Sequence, residues 1–116
     1  MTDLAWGVKN GDLNVVQEIF EKQNPDVNEE ISGRCPIHYA ADYGQIEIMK
    51  YLVTKGADIN RLDKHGICAL LAATWEGHAE CVQYLISQGA DKQIKAPDGR
   101  HIVECADSEE IKTLLK

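Results

Sequence analysis

Apolar residues recur along this chain at helical spacing, and the spacing itself recurs. Leu13, Val16, Ile19 and Phe20 fall on one face at a period of about 3.6 residues, and Ile46, Met49, Leu52 and Val53 repeat that face. Ile111, Leu114 and Leu115 form a shorter stripe near the end. Glycines stand between the stripes at a fixed interval. Gly11, Gly44 and Gly77 are 33 residues apart, as are Gly33, Gly66 and Gly99, and also Gly56 and Gly89. Each stripe is too narrow to enclose a core alone. Laid side by side they make one continuous core, which predicts a stack of repeating helix pairs.

The punctuation places the elements. Leu4 to Asn10 reads as a short capping helix, with Thr2 or Asp3 as its N-cap. Second helices stop at Lys55-Gly56 and Gln88-Gly89, where the chain needs positive φ. The first unit has Asn24 there, after a one-residue insertion. From Asp58 to Gly66 the chain forms a hairpin-like finger, and the finger from Asn28 to Gly33 is one residue shorter, which predicts a tip of its own shape. Pro36 suits a first helical turn. In the third unit Cys68-Ala69-Leu70-Leu71 has lost the proline and histidine of Pro36-Ile37-His38, yet Ala and Leu should keep the helix. At the end, Asp107 is the expected cap of the last helix, with Glu110 completing a capping box.

Cys35-Pro36-Ile37-His38, Gly44-Gln45-Ile46-Glu47-Ile48-Met49 and Gly56-Ala57-Asp58, repeating in part at a period of 33, resemble the ankyrin repeat. The expected fold is an all-α ankyrin solenoid of four units, at about 1–32, 33–65, 66–98 and 99–116. Two units are full and two are shortened caps, with β-hairpin-like fingers along one edge. The resemblance gives His38 a structural role, bonding across finger backbones.

Charge narrows the partners. The chain carries a formal net charge of -7 and a pI near 5.0, which argues against nucleic acid and for a basic protein surface. No apolar run approaches bilayer length and the N-terminus lacks a signal pattern, so the expectation is a monomer in the cytosol with access to the nucleus. Cys35, Cys68, Cys81 and Cys105 lack C-x-x-C spacing and read as free thiols.

No catalytic constellation emerges. His38 and His78 occupy repeat positions; His65 lies in a finger, and His101 in the first helix expected of the last unit. Cys35 near His38 is a sequence neighbourhood, not an oriented nucleophile and base. Glu29-Glu30 reads as an acidic finger, and the glycines follow the repeat rather than a phosphate loop. The chain is read as a non-enzyme with no cofactor and no metal.

The repeat leaves other positions free for recognition. In ankyrin proteins the residue after the repeat histidine, and the two before the mid-repeat glycine, face the concave groove. Here the first position holds Trp6, Tyr39, Ala72 and Cys105, the second Lys9, Asp42 and Trp75, and the third Asn10, Tyr43 and Glu76. Trp6, Tyr39, Tyr43 and Trp75 are therefore expected on one partner-binding face. The fingers Glu29-Glu30-Ile31-Ser32 and Asp63-Lys64-His65 adjoin it and read either as solvated, charged turns or as partner contacts, the acidic first finger suiting a partner with a basic rim around an apolar pocket.

The whole chain also resembles a family of small ankyrin-repeat regulators of the heterodimeric F-actin capping protein. The matching stretches include Trp6 with Lys9-Asn10-Gly11-Asp12-Leu13, Asp26-Val27-Asn28, Asp63-Lys64-His65, Glu76-Gly77-His78 and Ile111-Lys112-Thr113-Leu114-Leu115. Trp75, Cys68-Ala69 and Asn24-Pro25 depart from it. The resemblance implies binding to the alpha/beta capping protein and inhibition of barbed-end capping. Its alternative is binding to a Rel-type transcription factor. The contact residues it suggests are Trp6, Tyr39, Tyr43, Trp75 and Glu76 in the groove, and Glu30, Ile31, Arg34 and Lys64 on the fingers.

Overall fold

Helix pairs form where the stripes and glycines put them. The computed structural model describes residues 3–116, and an N-cap at Thr2 lies outside them. The first pair is α1 (Asp3–Asn10) and α2 (Leu13–Gln23), the second α3 (Pro36–Tyr43) and α4 (Ile46–Thr54), the third α5 (Ala69–Trp75) and α6 (Ala79–Ser87). The last unit has a 3-10 turn (Ile102–Cys105) and α7 (Glu109–Leu115). One row runs α1, α3, α5 and the turn; the other runs α2, α4, α6 and α7. Stacking in one direction gives the elongated extents, 41 × 24 × 21 Å. Val8, Val16, Ile37, Met49, Leu52, Leu71, Leu85 and Ile111 bury between the rows, so one core runs through every unit. No helix of the described residues is long and apolar enough to cross a membrane.

The caps follow local chemistry. Pro36 opens α3, and Asn24 takes the left-handed conformation that ends α2 (φ 43°). At α7 the cap is Ser108, not Asp107: its hydroxyl accepts the Ile111 N–H at 3.1 Å. That moves the third helical position to Ile111, so Glu110 closes no capping box. His101 also stands outside a helix. It precedes the 3-10 turn, all that remains of the last unit's first helix.

Polar ties repeat between units. Asn28 donates to the Gly56 carbonyl at 3.2 Å and accepts the Asp58 N–H at 2.8 Å; Asn60 does the same with Gly89 and Asp91. His38 Nδ1 accepts the Cys35 N–H at 3.0 Å while its Nε2–H donates to the Arg61 carbonyl at 2.8 Å. The backbone tie expected of His38 is present, and α5 forms without its counterpart. His78 reaches back over Gly44 to the Asp42 carbonyl at 3.0 Å, an approach that leaves no room for a Cβ on the glycine.

The fingers pair without a regular strand. In the first, Ser32 (φ 57°) and Gly33 (φ 85°) form a two-residue turn with left-handed backbone at both positions, closed by Ile31 and Arg34. The second and third have one more residue each, closed by Asp63 with Ile67 and by Ala96 with Arg100. The missing residue thus gives the first finger its separate shape.

Candidate partner-binding surface

A side chain is free to recognise a partner only if the stack does not need it. Three of the four aromatics expected on the binding face meet that condition. Trp6 is 47% exposed, Tyr43 51% and Trp75 37%. Tyr43 and Trp75 are the last residues of α3 and α5. Glu76 follows Trp75, also exposed, as the C-cap of α5.

Tyr39 is different. It is only 8% exposed, its hydroxyl donates to the Ile31 carbonyl at 2.6 Å, and cations cover its ring. The Lys9 ammonium stands 4.9 Å from the ring centre and the Arg34 guanidinium 5.3 Å. Ala72 and Cys105, at the same repeat position, are buried too. That position faces the neighbouring helix, so Tyr39 belongs to the core and not to the free face. Trp6 stands on α1, the first described helix, with no earlier described helix against it. It lines a cleft of about 480 Å³ with Val15, Ile19, Glu18 and Lys22, beside the first helix pair.

Arg34 is likewise an internal tie. Its Nε donates to Asp63 Oδ2 at 2.8 Å, and its Nη1 pairs with the Asp42 carboxylate. The Asp63 carboxylate is fully enclosed and also accepts the His65 N–H (2.8 Å) and the Ile67 N–H (3.0 Å). Burial pushes its pKa up, but those two N–H groups and the Arg34 guanidinium outweigh burial and hold it below the usual carboxylate range. Asp63 is therefore a buried cap, not part of a solvated turn. Ile31 is half-buried, its backbone pairing with Arg34.

The remaining finger residues stay outside. Glu30 is exposed and lies 4.0 Å from the Arg61 guanidinium of the second finger. Lys64 is exposed, with its stem against Gly33 and its N–H donating to the Gly33 carbonyl at 2.9 Å. The sequence reading missed Leu62, which is 54% exposed between Arg61 and Asp63. The signal for it was one aliphatic residue in a run of charge where the other fingers have Glu30 and Lys95. All four cysteines are buried and free, and among the described residues no group of three His, Cys, Asp or Glu side chains converges as metal ligands would.

The exposed aromatics and finger charges of both signs are carried on stacked helix pairs. Residues 4–96 match the family described as ankyrin repeats (3 copies). The chain is also 51% identical over 114 residues to Myotrophin of Xenopus tropicalis, covering 97% of this chain and 96% of that one. It is 51% identical to Myotrophin of Gallus gallus and 50% identical to that of Homo sapiens, each over 115 residues, 98% of this chain and 97% of theirs. The chain belongs to the myotrophin family of ankyrin-repeat proteins. Alignment from end to end, caps included, goes beyond the repeats that any ankyrin protein shares. As a myotrophin-family ankyrin protein it is a protein-binding module.

Proposed function

We propose that this chain binds the heterodimeric F-actin capping protein and keeps it off filament barbed ends, so that filaments continue to grow. The observation that carries this is the full-length likeness to Myotrophin, at about half identity and with both terminal units included. Three features support it. Tyr43 and Trp75 present exposed rings at the ends of their helices, Trp75 also reaching the buried Cys105 thiol. Glu30 and Glu76 are both exposed, in a chain of net charge -7, and suit a basic rim around an apolar pocket. Finally, the stack needs no conformational change to present them.

The mechanism is competition and requires no bond to be made or broken. The chain occupies part of the surface through which capping protein grips actin, acting as a monomer in the cytosol. Exposed Trp6, Tyr43, Trp75, Glu76, Glu30 and Lys64 make the contacts; Tyr39, Ile31 and Arg34 hold them in place. The Rel-type alternative has no particular observation in its favour, and four units offer a short groove for wrapping a dimer. Pyrene-actin elongation from barbed ends, with capping protein present, tests the proposal. Increasing amounts of the chain should restore elongation. Unrelieved capping at saturation contradicts it.

A further inference from the structure

Among the described residues, the exposed large apolar side chains are Trp6, Tyr43, Trp75 and Leu62. The three rings sit on helices. Leu62 sits on a finger, and the backbone on both sides of it is pinned. Before it, the Arg61 carbonyl accepts from His38 Nε2 at 2.8 Å. After it, the Asp63 N–H donates to the Ile67 carbonyl at 2.9 Å, and the Asp63 carboxylate holds the His65 and Ile67 N–H groups and the Arg34 guanidinium. One residue further, the Lys64 N–H is bonded to the Gly33 carbonyl of the first finger. A leucine exposed on so firmly tied a finger has its backbone already ordered before any partner arrives, so burying it leaves only side-chain rotamers to be fixed.

Position relates it to the aromatics. Arg34 binds Asp63, next to Leu62, and Asp42, next to Tyr43, through the same guanidinium. The second finger and the end of α3 are therefore held as one surface. Charge then says what fits beside Leu62. Arg61 already has Glu30 within 4.0 Å, whereas Lys64 forms no ion pair with any described residue and lies exposed with its stem along Gly33. An occupant that buries Leu62 brings that ammonium to its edge.

We propose that the second finger is a preorganised docking element: Leu62 enters an apolar pocket of the protein partner, and the Lys64 ammonium meets a carboxylate at that pocket's edge. This rests on the capping-protein reading and adds to it, because it gives an otherwise basic partner surface one apolar socket with an acidic lip. The other fingers carry Glu30 and Lys95 where this one carries Leu62, so the socket has one finger it can receive.

The test is relief of capping in pyrene-actin elongation, with circular dichroism and urea unfolding run on every variant. Leu62→Ala should raise the half-maximal concentration by about ten-fold, as expected for losing a buried leucine at the interface. Leu62→Asp should raise it further, and Lys64→Glu several-fold, all with unchanged helix content. Glu109→Ala, on the far terminal helix, should match the unsubstituted chain. If the unsubstituted chain relieves capping and Leu62→Ala does so equally well, this inference is overturned and the functional reading stands. If the unsubstituted chain never relieves capping, both fall.

Discussion

Arg34 and Asp63 come from different fingers, 29 positions apart, and meet at 2.8 Å with the carboxylate shut away from solvent. Two adjacent fingers are thereby locked through one partly buried ion pair, and the guanidinium continues to Asp42 at the end of α3. The framework that holds the exposed aromatics is polar as well as apolar.

Removing Arg34 strands a buried carboxylate that keeps only its two N–H donors. Arg34→Ala should cost about 2–3 kcal/mol in urea unfolding. Arg34→Lys should recover part of that, since a single ammonium does not reproduce the guanidinium's two directed contacts. A loss below about 0.5 kcal/mol for the alanine variant would show the pair to be ornamental.

Acid should loosen the stack in two steps. Burial, the largest cause, pushes the His38 pKa down; the bond to the Arg61 carbonyl and the nearby Asp63 and Asp42 carboxylates oppose it, while Arg34 adds to it. A folded pKa below the unfolded value means that the unfolded chain binds more protons. The His38 contribution is then complete above the unfolded value of about 6.5 and is lost as pH falls below it. Asp63, also lowered, gives the same sign at more acid pH. Urea midpoints should stay level from about pH 8 to 6.5 and then decline. His38→Gln should be less stable overall and should flatten the first decline; an equal decline in that variant would assign it elsewhere.

Much of this was legible in the residues, for a physical reason. A repeat buries its stripe only against its neighbours, so the period of 33 fixed helix pairs, turns and stacking direction together. Tyr39 was misplaced because register alone was read as pointing to the groove, while the residue there packs against the helix alongside. Of the four residues at that position, Tyr39, Ala72 and Cys105 are buried and Trp6, on the first described helix, is exposed. Asp107 and Ser108 are adjacent capping residues, and only backbone geometry chooses between them. The Asn28 and Asn60 clamps had a signal in Asp26-Val27-Asn28 and Asp58-Ile59-Asn60, whose asparagines reach the next unit's turn. Asp63 could not be read as buried, because its partner Arg34 lies a whole unit away.

Gly44 and Gly77 share a left-handed backbone, at φ 68° and 76°, but not a neighbourhood. A Cβ on Gly44 would stand 2.6 Å from His78 Nδ1, whereas one on Gly77 would meet nothing within 4 Å. Both alanine variants should lose about 1 kcal/mol to the backbone. Gly44→Ala should lose about 1 kcal/mol more as His78 gives up the Asp42 carbonyl. Equal unfolding midpoints would contradict that account of the tie.

The thiols should be quiet. Burial, with a smaller push from Glu80, raises Cys81 to about 11, and burial is the leading cause that raises Cys35, Cys68 and Cys105. Since the thiolate is the reactive form, Ellman's reagent at neutral pH should label the folded chain slowly and all four cysteines at once in guanidinium. A thiol reacting at the free-cysteine rate in the folded chain would contradict the burial.

The central claim is that side chains the stack does not use are the ones that recognise the partner. Tyr43→Ala combined with Trp75→Ala, titrated against capping protein in barbed-end elongation beside its urea unfolding curve, tests it most directly. The account predicts a relief of capping weakened by more than about ten-fold, with helix content unchanged and stability within about 2 kcal/mol of the original. Full relief from the double variant, or a collapse of the fold in its place, would contradict it.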